Sequence, residues 1–256
     1  MRRVLEEISE RVRDAVWDLP ETFDRGMELY TGADGTPTSN IDKVAEDAIL
    51  QSVEEMDLPY NVLSEEAGFI DRGMDRTMVV DPIDGTYNSV LAIPMFSVSL
   101  AIGTRSLGDV EIGLVRDLVS DDVLAAEKGK GADLNGRHLR VKQPAGLPAV
   151  CVYMGRYVSP ATLDVVRKAG RVRSMGCASL EMCLVAQGKF DAHYMNCEVY
   201  EKSIRVVDIA ASALILREAG GELVALDGRK LDMPFDLAAR SNFLAYGDER
   251  VKEMLL

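Results

Sequence analysis

The rhythm of the second half of the chain limits the possible folds most. From about Ala149, apolar runs of strand and helix length take turns. They are a strand in AVCVYMG, a helix from Ser159-Pro160 through Lys168 closed by Gly170, a short strand, a helix in CASLEMCLVAQG, a strand in FDAHYM, a helix in DIAASALILREAGG and a strand in ELVAL. Alternation of this kind predicts α/β layering, because a sheet face and a helix stripe each bury their apolar side against the other. Ser159 followed by Pro160 suits a helix start, and Gly170 and Gly220-Gly221 suit helix stops.

The first half mixes elements. Val4, Leu5, Ile8, Val12, Ala15, Val16 and Leu19 share one face of a helix that stops before Pro20. A second helix is expected from Thr38-Ser39-Asn40, with Ile41, Val44, Ala45, Ala48, Ile49 and Val53 on one face. Between them TGADGTPTSN has the composition of a mobile polar loop. Strands are expected at Val62-Leu63, Met78 to Val80, Val98 to Gly103 and Val110 to Val115, and Asn135-Gly136 reads as a hairpin turn. Pro and Gly cluster between Gln143 and Pro148, which divides the 256 residues into expected subdomains of 1–145 and 146–256.

Charge narrows the function. With 29 Lys and Arg against 42 Asp and Glu, the net charge is −13, which argues against a nucleic-acid or anionic-membrane partner. An anionic substrate would need a bound divalent cation to attract it. The uncharged stretch Gly85 to Arg105 contains Asn88, Pro94 and the strand-like alternation Phe96-Ser97-Val98-Ser99-Leu100, so it is not read as a membrane span. The start lacks an apolar targeting core and carries Glu6, Glu7 and Glu10. Cys151, Cys177, Cys183 and Cys197 form no Cys-x-x-Cys pair, and read as reduced thiols of a cytoplasmic protein.

The segment MVVDPIDGTYNS carries the chemistry. A hydrophobic strand ends in Asp81, Pro82 restrains the backbone, and Asp84 follows at a turn containing Gly85. Two carboxylates converging on one point repel unless a cation sits between them. Oxygen-only ligands suit Mg2+ or Mn2+ better than zinc. If the backbone enters a helix here, the Gly85 and Thr86 N–H groups face outward, where a phosphate can be held. A second acidic pair, Glu65-Glu66, ends the strand at Val62-Leu63. Adjacent strand residues point opposite ways, so only one of the two can be a direct ligand in the same pocket.

SEEAG, DPIDGTYN and VVDIAASALILREAGG, in that order, resemble the lithium-sensitive, magnesium-dependent phosphomonoesterases that include inositol monophosphatase and fructose-1,6-bisphosphatase. ADGTPTSNID and IRVVDIAAS are most similar to the archaeal branch, whose members often hydrolyse both substrates. The resemblance runs from about Leu5 to Gly247. It implies a layered αβαβα sandwich of the sugar-phosphatase type, of mixed α+β and α/β character, in two subdomains. It implies that Glu65, Asp81, Asp84, the Ile83 carbonyl and Asp208 ligate two or three Mg2+ ions per subunit, with Mn2+ a substitute. Glu66 would act from further out and Asp34 would meet a weaker third ion. Asp42 and Thr86 would orient and deprotonate the attacking water, with Glu65 also in the catalytic set. Gly85 and Thr86 would hold the phosphate, and Ser174, Gly176 and Cys177 would line the sugar site. A homodimer acting on a small phosphate monoester is the family expectation.

Ser64 stands where the family has Gly, and Val207 where inositol-type enzymes have Trp. No acid between Tyr194 and Asp208 matches the residue that recognises inositol hydroxyls in animal enzymes. Lys202 and Arg205 occur there instead, which favours a substrate with a second phosphate and so fructose 1,6-bisphosphate. Otherwise Lys202 and Arg205 would pair with Glu198 and Glu201 at the surface. The competing readings are a nucleotide 3′-phosphate or NADP phosphatase, and a non-catalytic regulatory protein on the same fold.

Overall fold

The computed structural model describes all 256 residues. In chain order it contains α1 (Arg2–Trp17), β1 (Glu28–Thr31), β2 (Pro37–Ser39), α2 (Asn40–Glu55), β3 (Asn61–Ser64), β4 (Gly68–Ile70), β5 (Thr77–Asp84), α3 (Thr86–Val90), β6 (Ser97–Gly103), β7 (Ile112–Asp117), β8 (Val123–Glu127), β9 (Ala132–Leu134) and β10 (Arg137–His138). Then follow β11 (Ala149–Val152), α4 (Thr162–Lys168), β12 (Arg171–Arg173), α5 (Ala178–Ala186), β13 (Ala192–Met195), α6 (Val206–Glu218), β14 (Glu222–Ala225), β15 (Phe243–Tyr246) and α7 (Glu249–Leu255).

Two sheets organise the chain. The first has eight strands in the order β10-β9-β8-β7-β6-β5-β3-β4, antiparallel except for the β3–β5 pair. The second has five in the order β12-β11-β13-β15-β14, parallel across β12, β11 and β13. Strand alternation sorts the core into layers. Met78, Val80, Leu100 and Leu114 pack with Leu5, Ile8, Ile41 and Ile49 of α1 and α2. From the other face Val79, Ala101 and Val115 meet α5 and α6, which also bury Phe243 and Ala245 of the second sheet. Leu244 and Tyr246 face the opposite way, onto Val165 of α4 and Val251 of α7. The result is a five-layered αβαβα sandwich.

Some local expectations are revised. TGADGTPTSN is the turn and second strand of a hairpin, with β1 paired to β2 and Ala33 N–H donating to the Glu66 carbonyl at 2.9 Å. The helix expected from Ser159-Pro160 begins only at Thr162, because residues 159–161 are spent on turns that bond back through Thr162 and Leu163. The strand in AVCVYMG stops at Val152 and that in 110–115 runs from Ile112 to Asp117. Asn135 and Gly136, with φ of 51° and 78°, make the hairpin turn between β9 and β10. No helix is long and apolar enough to cross a membrane.

α6 is buried on every side from Val206 to Leu216. Its backbone approaches β7 at Gly113, where an added Cβ would lie 2.7 Å from the Ala211 carbonyl oxygen. Gly113→Ala is therefore expected to cost about 1–3 kcal/mol, read as a lowered urea midpoint. A wild-type midpoint would mean that α6 can shift freely off the sheet.

Candidate active site

β3 and β5 are parallel neighbours with Ser64 opposite Val80, so the residues after Ser64 and Val80 emerge side by side. Glu65 comes directly after β3, Asp81 directly after Val80, and Asp208 is the third residue of α6. Carboxylate oxygens of Glu65, Asp81 and Asp208 lie within 4.8 Å of one another. At an effective dielectric of about 20, two unit charges at such a spacing repel by roughly 3.5 kcal/mol. Burial, reinforced by these neighbours, pushes Glu65 up to about 8 and Asp81 well above the usual carboxylate range. Asp81 Oδ1 is buried without a hydrogen-bond partner. An oxygen-only donor set with an unclaimed buried oxygen fits a hard divalent cation.

Arg205, which precedes α6, supplies the positive charge among these acids. Its Nη1 pairs with Asp34 and Glu65, and its Nη2 lies 2.7 Å from Asp208 Oδ1. The surface pairing of Arg205 with Glu198 and Glu201 is not formed. The Arg205 backbone N–H donates to Asp208 Oδ2 at 2.8 Å, and that cap at the start of α6 turns the guanidinium inward. Asp34 also accepts the Thr36 N–H at 2.8 Å, so it is a turn former and an ion-pair partner at once. Lys202 forms no ion pair with Glu198 or Glu201. It lines, with Arg240 and Glu201, the outer part of a cavity of about 230 Å³ that reaches Glu65 and Asp208.

Asp42 and Thr86 meet across the site. Asp42 Oδ1 accepts the Thr86 hydroxyl at 2.8 Å, while its Oδ2 takes the Ser39 N–H and hydroxyl that cap α2. The Ile83 carbonyl lies 2.9 Å from the same Thr86 oxygen. Burial raises the Asp42 carboxyl above its ordinary value. Gly85, at φ 86°, turns the chain from β5 into α3. A Cβ there would sit 2.9 Å from the Met95 carbonyl oxygen, so only glycine fits. Glu66 accepts the Thr38 hydroxyl, holding the β1–β2 hairpin. Burial pushes its carboxyl up to about 7.

Asp84 is placed differently from Glu65, Asp81 and Asp208. Its carboxylate accepts the Ala178 and Ser179 N–H groups at 3.2 and 2.6 Å and the Cys177 thiol at 3.2 Å. It thereby caps α5, whose own N-cap residue is Cys177. Ser174, Gly176 and Cys177 line a cavity of about 240 Å³ beside Asp84 and Asp208. Sequence reasoning missed two further lining residues, Glu181 and His193. Glu181 Oε1 accepts the Met175 N–H at 2.8 Å, and Oε2 lies 3.4 Å from His193 Nε2. A lone acid in an apolar helix pattern was the available signal for Glu181.

A layered sandwich that gathers acids from two neighbouring parallel strands and one buried helix start defines a class of acidic site able to hold a metal ion. The comparisons agree. The inositol monophosphatase family model matches residues 3–256, and the chain belongs to that family. It is 34% identical to a fructose-1,6-bisphosphatase/inositol-1-monophosphatase of Thermococcus kodakarensis, over 97% of this chain and 93% of that protein. It is 31% identical to a bifunctional NADP phosphatase/NAD kinase of Methanococcus maripaludis, over 88% of this chain but 43% of the relative. A solved Pyrococcus horikoshii protein described as having similarities to inositol-1 monophosphatase superposes with a TM-score of 0.86 at 30% identity, covering 99% of this chain and 96% of that one.

The Glu181–His193 pair sets a pH dependence. Burial pushes Glu181 from 4.5 up to about 8 and His193 from 6.5 down to about 3. The glutamate's contribution to stability is full below 4.5 and is lost as pH rises through about 8. The histidine's is full above 6.5 and is lost as pH falls through about 3. In thermal melts with chelator, Glu181→Gln should flatten the decline above pH 6.5, and His193→Gln the decline below pH 4.5. Unchanged limbs would mean that other groups set them.

Proposed function

We propose that the protein is a Mg2+-dependent phosphomonoesterase acting on inositol 1-phosphate, fructose 1,6-bisphosphate or both. The observation that carries this is the convergence of Glu65, Asp81 and Asp208 around an unpartnered Asp81 oxygen. Glu65, Asp81, Asp84, Asp208 and the Ile83 carbonyl would hold two or three Mg2+ ions, or Mn2+ in their place, which when bound supply Lewis acidity to the phosphate and the attacking water. This chain's own groups orient and accept protons. Asp42 holds the Thr86 hydroxyl at 2.8 Å, which leaves the Thr86 oxygen a lone pair to position a water. The raised Asp42 carboxyl is a better base at neutral pH than an exposed aspartate. Gly85 and Thr86 N–H groups at the start of α3 are the phosphate donors in this reading.

The cavity bearing Lys202 and Arg240 suits a second phosphate, which supports fructose 1,6-bisphosphate. A nucleotide substrate has less support, because Tyr153 is the lone tyrosine in the cavity beside Asp84 and no tryptophan or phenylalanine joins it. A non-catalytic role has less still, since no acid of the set is replaced. Four buried free thiols favour a reducing, cytoplasmic setting. Exposed Tyr87, Leu91 and Ile93 offer an apolar face for a homodimer.

Phosphate release from both esters should require Mg2+ and stop with EDTA, and Asp81→Asn should lower turnover about a hundredfold or more. Full turnover by Asp81→Asn would overturn the reading. Because Arg205 pairs with Glu65 and Asp208, which would also hold the cation, Arg205→Ala should reach half-maximal activity at lower Mg2+ and melt earlier in EDTA. A raised Mg2+ requirement would show instead that Arg205 supports metal loading.

A further inference from the structure

The cavity beside Asp84 and Asp208 has largely apolar walls, among them Val152, Met195 and Ile204. Two polar side chains stand together in that wall: Glu181 from α5 and His193 from β13. We infer that Glu181 and His193 recognise hydroxyl groups on the alcohol portion of the substrate, selecting polyol phosphates over phosphate esters without hydroxyls. The inference deepens the phosphomonoesterase reading and rests on it.

The pair has bonding capacity that the fold does not use. Glu181 Oε1 is taken by the Met175 N–H, but Oε2 has only the 3.4 Å approach of His193 Nε2. His193 Nδ1 is buried with no partner at all. An unpaired buried polar group is destabilising, and a hydroxyl, donor and acceptor together, can relieve it. Polar groups set among apolar walls are the usual means of fixing a ligand's orientation. Burial holds the glutamate protonated and the imidazole neutral near pH 7. A neutral acid and a neutral imidazole suit uncharged hydroxyls, whereas a second phosphate suits Lys202 and Arg240 in the neighbouring cavity. The two cavities meet at Arg205 and Asp208, which line both. A substrate centred on the acids can therefore extend toward either.

The test compares inositol 1-phosphate with p-nitrophenyl phosphate, which carries no hydroxyl, at saturating Mg2+. The variants are Glu181→Leu, Glu181→Gln and His193→Phe, the last keeping a ring against Phe243, whose centroid lies 5.1 Å from that of His193. Glu181→Leu and His193→Phe should lower kcat/KM for the polyol ester relative to the aryl ester by about tenfold, mainly through KM. Glu181→Gln should recover most of the ratio. If both esters lose activity in parallel, the pair only positions the 174–177 turn and the inference fails. It fails equally if the ratio does not move. Should Glu181→Leu not fold, His193→Phe decides alone. Wild-type protein that hydrolyses neither these esters nor fructose 1,6-bisphosphate removes the phosphatase reading itself, an outcome distinct from an unmoved ratio.

Discussion

α6 has no polar face, and much of the architecture follows from that. A helix buried from Val206 to Leu216 must be covered on opposite sides, and the two sheets do so. Gly113 lets one sheet approach the Ala211 backbone closely, and Leu223, Phe243 and Ala245 close the other side. With α6 clamped between layers, its first turn is carried to the edge where β3 and β5 end. Asp208 thus reaches Glu65 and Asp81 through a packing requirement of the helix as a whole.

The price of that placement is a crowd of buried acids. Three carboxylates within 4.8 Å cannot all be ionised in a low dielectric without a counter-charge. Arg205 provides one, tied to both halves of the chain through Glu65 and Asp34 on one side and Asp208 on the other. A net charge of −13 is compatible with an anionic substrate where cations held among these acids outweigh them locally.

Much of this was legible in the sequence because it is local. Period-2 alternation in β5 and β6 sorts Met78 and Val80 from Val79, and the apolar stripe of α2 and the Asn135-Gly136 turn are short-range signals. The acids at strand ends were found for the same reason. What escaped depends on long-range pairing. The Asp84 cap on α5 spans 95 residues, and the Arg205–Asp34 pair spans 171. Loop composition at TGADGTPTSN did not announce the β1–β2 pairing or the bond from Ala33 to Glu66, which polar residues alone do not reveal. Glu181 and His193 were hidden because neither has a neighbour in sequence that reveals its partner.

The Asp84 cap has a thermodynamic corollary. One carboxylate both lines the cavity beside Asp208 and satisfies the first free N–H groups of α5. Any ligand that draws this carboxylate toward itself weakens the helix start, and by reciprocity a firmly wound α5 restrains the carboxylate. Occupancy of the centre is thus written into the amide hydrogens of Ala178 and Ser179, which become local gauges of events at the end of a strand in the other half of the molecule.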